Sequence, residues 1–481
     1  MLKLYLTSNH LKPFLLLLLS FTPSCFAKGL EQPIDLTHSL LGWIALAVFI
    51  LSYVFVIAED YFHLRKSKPV LMAAGLIWLM IGFYYNSIHQ AHIAEAAFNH
   101  HLLEYAQLLL FLLVAMAYIN AMEERLVFDY LRVSMIQKKL NLRNLFWITG
   151  ILAFIISSFA NNLTTAMLMC AIVLKMAPTN KRFINLSCIN IVVASNAGGA
   201  FSPFGDITTL MIWQAGLVEF SQFWALFIPA VVNFIIPALI FSWMIPPIPA
   251  GQVEQTPVQL KRGAKRIVCL FGLTIGTAVA CHNFAGLPAV LGMMMGLAYL
   301  KFFGFFLRKS LPRSLYLKRQ IAQQQKDKAA LEQLGTIVPF DVFDKIARAE
   351  WDTLLFFYGV VMCVGGLNFL GYLSLFSEQL YQQWNPTYAN IVVGVMSAIV
   401  DNIPVMFAVI NMHPDMDLQQ WLLVTMTAGV GGSLLSVGSA AGVALMGQTR
   451  GVYSFMSHLK WSWVIAIGYV ASIAVHLWLN S

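Results

Sequence analysis

Uninterrupted apolar runs occupy eight stretches of this chain, at about 38–58, 70–85, 102–121, 223–246, 267–284, 286–306, 353–372 and 461–480. A helix crossing about 30 Å of hydrocarbon needs roughly 20 such residues, so each run predicts a spanning helix, with 70–85 the shortest. Four further apolar stretches, 144–177, 185–217, 388–412 and 421–448, are interrupted by glycines and polar residues. Composition agrees with this pattern: 59% of the 481 residues are apolar and 11% charged. A soluble domain carries about 25% charged residues, so an ordinary water-soluble enzyme is excluded, as are disordered and fibrous chains.

Lysine and arginine set the expected sidedness. The loops His63–Lys68, Arg125–Arg143, Lys175–Arg182, Lys261–Arg266 and Arg308–Arg348 are basic and are expected on the cytoplasmic side. The connections Asn86–His101, Val218–Gln222, Ser374–Tyr388 and His413–Gln420 lack Lys and Arg and are expected outside. The net charge of +8 therefore reflects topology rather than nucleic-acid binding. Sides alternate only if 144–177 and 388–412 each return to the side they start from, as re-entrant hairpins with tips at Ser158–Thr165 and Asp401–Pro404. The stretches 185–217 and 421–448 then cross as discontinuous helices.

The predicted fold is an all-α polytopic membrane protein of two inverted repeats, 38–246 and 267–480. Each holds five crossings, one of them discontinuous, and one re-entrant helical hairpin, an arrangement that suits alternating access. Residues 1–27 read as a signal peptide: Lys3 precedes the short apolar Phe14–Phe21, and Cys25-Phe26-Ala27 approximates a cleavage site. Residues 247–266 read as a cytoplasmic linker and 307–352 as a cytoplasmic loop, with an exposed helix over Arg319–Leu334. Internal matches support the division. Glu104–Phe111 aligns with Glu350–Phe357, Asn161-Asn162-Leu163 with Asp401-Asn402-Ile403, and Gly198, Gly199 and Gly205 with Gly431, Gly432 and Gly438.

The candidate chemistry lies where polar residues interrupt apolar helix, because lipid tolerates neither irregular backbone nor unpaired charge. Those places are Ser157–Thr165, Ser195–Thr209, Ser397–Pro404 and Gly429–Ser439. They offer carboxylate, amide, hydroxyl and freed backbone oxygens, with no thiolate or imidazole. Hard oxygens suit hard cations such as Na⁺ or Li⁺. Desolvation favours the protonated form of a buried carboxylate, so Asp206 and Asp401 can alternate between a proton and a cation. Competition for one carboxylate is the simplest route to exchange.

Other patterns carry less. His89, His92, His100 and His101 read as an ordinary wet loop, and the six scattered cysteines as apolar fillers with neither a disulfide framework nor a zinc site. The glycines of 429–442 follow no strand, so no dinucleotide loop is expected, and no Ser/His/Asp arrangement supports an enzyme.

At SNAGGAFSPFGDITT (Ser195–Thr209), NLTT (Asn162–Thr165), EWDTLLFF (Glu350–Phe357) and DNIP (Asp401–Pro404), the chain resembles the NhaD family of sodium/proton antiporters. The resemblance runs from about residue 38 to the C-terminus. It implies Na⁺(Li⁺)/H⁺ exchange across a bacterial inner membrane, with no cofactor and no metal beyond the transported ion. It places the function on Asn162, Thr164, Thr165, Asn196, Asp206, Thr208, Thr209, Ser397, Asp401, Asn402, Ser436 and Ser439, with Asn161 and Ser202 in the same stretches. Glu350 and Asp352 look like family acidic positions. Two positions depart from the pattern: similar proteins usually carry Asp at 161 and Glu at 107, where this chain has Asn161 and Gln107. Glu104, one helical turn earlier, is a candidate replacement for the missing glutamate. The implied partners are monovalent cations, protons and the bilayer, with a homodimer as a further expectation. An anion carrier of the same fold group, taking arsenite or a dicarboxylate, and a Na⁺-coupled symporter stay open as alternatives.

Overall fold

Each of the eight uninterrupted runs forms a helix long and apolar enough to cross a bilayer. The computed structural model describes residues 33–62, 64–136, 141–249, 258–324 and 340–480; the predicted signal peptide lies outside them. The first helices are α1 (Leu40–Ile57), α2 (Ser67–Ser87) and α3 (Ala91–Glu124). The first interrupted pair is α4 (Leu142–Ser157) with α5 (Asn162–Met176), and the second is α6 (Lys181–Gly199) with α7 (Ile207–Gln214). After α8 (Phe227–Trp243) come α9 (Ala264–Asn283), α10 (Ala289–Gln324) and α11 (Trp351–Phe369). The chain closes with α12 (Pro386–Met396), α13 (Asn402–Met412), α14 (Leu418–Gly431), α15 (Ala440–Gln448) and α16 (Ser462–Leu479). No strand occurs among the described residues.

Burial sorts these helices into a centre and a rim. α1 exposes Leu40, Trp43, Ile50, Leu51 and Val54, a face made for lipid tails, whereas α6 is buried along nearly its whole length. α11 is also central, packed on α2, α3 and α13. Small residues allow this close approach, as is usual between membrane helices: Gly359 of α11 lies against Val70 of α2, and Gly365 against the His101 ring of α3.

The basic loops gather at one end of the bundle. Leu142 N donates to the Ile248 carbonyl at 2.9 Å, and Lys261 N to the Arg125 carbonyl at 3.2 Å. Arg262 reaches Ser310, and Lys345 pairs with Glu124. The segments without Lys or Arg meet at the other end. There Leu36 N donates to the Leu370 carbonyl, Ser377 Oγ to the Met412 carbonyl and Gln420 Nε2 to Thr387 Oγ1. The flanks of α4–α5 belong to the basic end, with the short helix Val127–Ile136 packed on α5. Those of α12–α13 belong to the opposite end. Within each pair the two helices pack on each other, α4 on α5 and α12 on α13.

Two expectations are corrected. Asn86–His101 is loop only around Ile88–Gln90, where His89 is exposed; α3 begins at Ala91, leaves His92 and His100 exposed and buries His101 beside Trp78 and Phe407. The segment from 307 does not leave the membrane helix as a separate loop. α10 runs unbroken through Pro312 to Gln324, so the start of the expected Arg319–Leu334 helix is the end of α10; residues 325–339 lie outside the described ones. The described cysteines are free; Cys170, Cys188 and Cys363 are buried fillers, Cys281 is half-buried and Cys269 is exposed, and the Cys170 and Cys188 sulfurs lie 3.7 Å apart. Cys25 is outside the described residues.

Candidate functional site

Each of the four interruptions ends where a helix starts, and an oxygen-bearing side chain stands at each start. Asn161 precedes α5, Asp206 precedes α7, Asp401 precedes α13 and Ser439 precedes α15. A helix N-terminus leaves backbone N–H groups without intrahelical partners and carries positive dipole, so such residues are favoured there. Asn161 Oδ1 accepts from Leu163 N at 3.0 Å, Asp206 Oδ1 from Ile207 N at 2.7 Å and Ser439 Oγ from Gly442 N at 3.3 Å. Asp401 alone makes no cap.

Glycine brings the backbones together at these breaks. A Cβ on Gly205 would stand 2.6 Å from the Ser157 carbonyl oxygen, and one on Gly438 2.6 Å from that of Ala398. Neither distance is open to a real side chain. The hydroxyls of the two turns repeat the same bond, Ser157 Oγ to the Ser195 carbonyl at 2.6 Å and Ser397 Oγ to the Ala428 carbonyl at 2.7 Å. The helices that follow the breaks pack across the chain: α7 packs on α13, and α5 packs on α15.

Polar contacts follow this crossing. Asn402 Nδ2 donates to Asp206 Oδ2 at 3.0 Å. Asn162 Nδ2 donates to Asn196 Oδ1 at 3.2 Å, and Asn196 Nδ2 donates to Ser433 Oγ at 2.9 Å. Thr209 Oγ1 lies within reach of both the Ser202 and Asp206 carbonyls, at 2.8 and 2.7 Å, and ties the unwound segment to α7. Thr208 Oγ1 is fully buried one residue away, with no hydrogen-bond partner among the described residues. Buried hydroxyls are normally paired, so this oxygen is available to something that enters. Asn161 and Asp206 line one narrow cavity, together with Phe111, Ala115, Phe159 and Phe204.

The structure thus brings together Asn161, Asn162, Asn196, Ser202, Asp206, Thr208, Thr209 and Asn402. Thr165 is buried in the first turn of α5, with Thr164 half-buried beside it. Ser436 sits farther along the second unwound segment, its hydroxyl on Met446 Sδ at 3.4 Å. The second turn spans 397–401, so Asn402 and Pro404 already belong to α13 rather than to the tip. Asp401 faces Lys66 Nζ at 3.5 Å. Around that lysine stand Glu350, which accepts from Thr353 Oγ1 at 3.3 Å, and Asp352, which accepts from Ser67 Oγ. Burial holds the Glu350 carboxyl above the usual carboxylate range, and the Thr353 hydroxyl and the Lys66 charge oppose it.

Glu104 is not brought to this cluster. Its carboxylate accepts from His101 Nδ1 at 2.9 Å and lies 3.5 Å from His100 Nε2, so it is engaged by its own helix. Sequence reasoning missed Lys66, which reads along the chain only as part of a basic loop. Ser433, which the sequence offers only as one hydroxyl of Gly429–Ser439, accepts from Asn196 Nδ2 at 2.9 Å, and its carbonyl accepts from the buried His458 Nε2 at 2.9 Å.

Known proteins match this chain along most of its length. A family model described as "CitMHS: Citrate transporter" matches residues 53–429. The Na(+)/H(+) antiporter NhaD of Alkalimonas amylolytica is 62% identical over 466 residues, covering 97% of this chain and 96% of the relative. Its counterpart in Vibrio cholerae serotype O1 is 60% identical over 467 residues, with 97% and 98% covered. More distantly, sodium/proton antiporter 1 of Arabidopsis thaliana is 29% identical over 439 residues, 89% of this chain and 71% of the relative. The chain belongs to the CitMHS family and, within it, to the NhaD antiporters.

Proposed function

We propose that this protein exchanges Na⁺, or Li⁺, for H⁺ across the bacterial inner membrane by alternating access between two inverted halves. The observation that carries the reading is Asp206, a buried carboxylate at the end of an unwound segment, held from the other half of the chain by Asn402. A cation and a proton compete for its oxygens, so binding one releases the other. Thr208 Oγ1, the Asn161 and Asn162 amides and backbone carbonyls of the unwound segment supply neutral oxygens that replace part of the ion's hydration shell. The Asp206–Asn402 bond joins the two halves, so occupancy of Asp206 bears on how they sit together. Relatives named for Na(+)/H(+) antiport at 60–63% identity support the choice of ions. The charged groups that face the breaks are the carboxylates Asp206 and Asp401 and one lysine, Lys66, which is paired with Asp401, so an anion carrier gains no support.

In everted vesicles holding an imposed pH gradient, Na⁺ and Li⁺ are expected to dissipate the gradient, read as dequenching of a ΔpH dye. K⁺, arsenite and citrate are expected to leave it unchanged. A response to an anion and none to Na⁺ would overturn the reading.

The same assay reads the departure at position 161. Asn161→Asp keeps an acceptor for Leu163 N, so α5 stays capped. It adds a titratable group to the cavity that Asp206 lines. Like charges in one site hold protons to higher pH, so the variant is expected to carry more Na⁺-linked proton flux at alkaline pH. Its pH profile should move by about one unit. Superimposable profiles at matched expression would take position 161 off the proton path.

A further inference from the structure

We infer that Lys66 is a tethered cation that occupies Asp401 when no transported ion is bound there and must leave for one to bind. The inference rests on the exchange reading above. Lys66 is the residue just before α2, and the Ser67 hydroxyl is fixed on Asp352 at the start of α11. The backbone is therefore anchored while the long side chain reaches out, and its ammonium lies 3.5 Å from Asp401 Oδ2. Both side chains are roughly four-fifths shielded.

The two turns differ in a way that points to this pairing. Asn161 caps its own helix by accepting from Leu163 N. Asp401 stands at the corresponding position before α13 but makes no cap and turns its carboxylate to Lys66. A residue placed merely to start the helix would cap it. The ammonium also has somewhere to go, since it lies 4.5 Å above the Phe356 ring and its charge acts on Glu350. An arriving Na⁺ takes the Asp401 oxygens, and the ammonium keeps the Phe356 ring as its partner, with its charge still acting on Glu350. When Na⁺ leaves, Lys66 returns and neutralises a carboxylate that would otherwise be costly to leave bare at membrane depth. Lys66 is thus a positioning residue that sets how tightly Asp401 holds its ion.

The test is Na⁺ affinity, by calorimetry on purified protein and as apparent KM in vesicles, for wild type, Lys66→Gln, Lys66→Met and Lys66→Arg. The neutral variants are expected to bind Na⁺ roughly fivefold more tightly, the size of a partly shielded ion pair, while their maximal rate falls because the ion leaves slowly. Lys66→Arg, which keeps the charge, is expected to keep wild-type affinity. Unchanged or weakened Na⁺ binding in both neutral variants would overturn the proposal. So would failure of both to insert as monodisperse protein while Lys66→Arg inserts, for the lysine would then be a structural anchor. Absence of Na⁺ binding and exchange in wild type would instead remove the exchange reading itself.

Discussion

Replacing Asp206 by Asn is expected to abolish Na⁺-driven proton movement while leaving the protein folded in the membrane. The amide keeps the volume and an oxygen that can accept from Ile207 N, so α7 retains its start. What disappears is charge. With Asp401 paired to Lys66, Asp206 is the carboxylate at the breaks with no cationic partner among the described residues. Without it the cluster carries no net negative charge to hold a cation, and the carboxylate that remains, Asp401, is the one paired with Lys66. Truncating one partner of a buried charge interaction costs on the order of 2–5 kcal/mol. Na⁺ binding should therefore weaken by at least about thirtyfold. Calorimetry and the vesicle assay at matched expression read both losses. Near-wild-type exchange would reduce Asp206 to a helix cap.

Most of the helices could be read from the sequence because the length of an apolar run maps directly onto a membrane span. The breaks were legible for the opposite reason. Gly198, Gly199, Pro203 and Asp206 fall within one apolar stretch, and a continuous lipid-facing helix cannot hold all four. Helix boundaries at the water edge were harder to read. Residues 91–101 carry three histidines, Glu95 and Asn99, which read as loop by polarity. Yet Ala91, Ala94, Ala96 and Ala97 favour helix, and His101 is buried by Trp78 and Phe407, contacts that no local pattern reveals. α10 likewise overruns its apolar run, since polar Lys, Arg and Gln residues continue a helix as well as they form a loop.

At the site, the sequence named the oxygen-bearing residues but not their pairings. Asp206 meets Asn402, 196 positions away, and Lys66 meets Asp401, 335 positions away. Such pairs are decided by how distant helices pack. Lys66 was hidden for a further reason: sidedness alone accounts for a lysine in a basic loop, so nothing marked it as a second occupant of a carboxylate.

Asp401→Asn is also expected to abolish exchange, by a different route. The substitution leaves the Lys66 ammonium without its carboxylate, beside the Phe356 ring and near Asp206 through the neighbouring Asn402. Asp206 remains negative, but a cation entering the site now meets an unneutralised ammonium. Counting Asp206, Asp401 and Lys66, the sum is −1 in wild type and 0 in Asp401→Asn. Removing the lysine as well, in Asp401→Asn/Lys66→Gln, restores −1. The double variant should therefore bind Na⁺ more tightly than Asp401→Asn, by roughly tenfold if the two charges interact across a partly shielded site. Transport should stay lost in both, because one of the two carboxylates that exchange ions is gone. A double variant whose Na⁺ affinity equals that of Asp401→Asn would mean the lysine charge is not felt at the ion. Asp401 would then act on transport through the packing of α13 rather than through its negative charge.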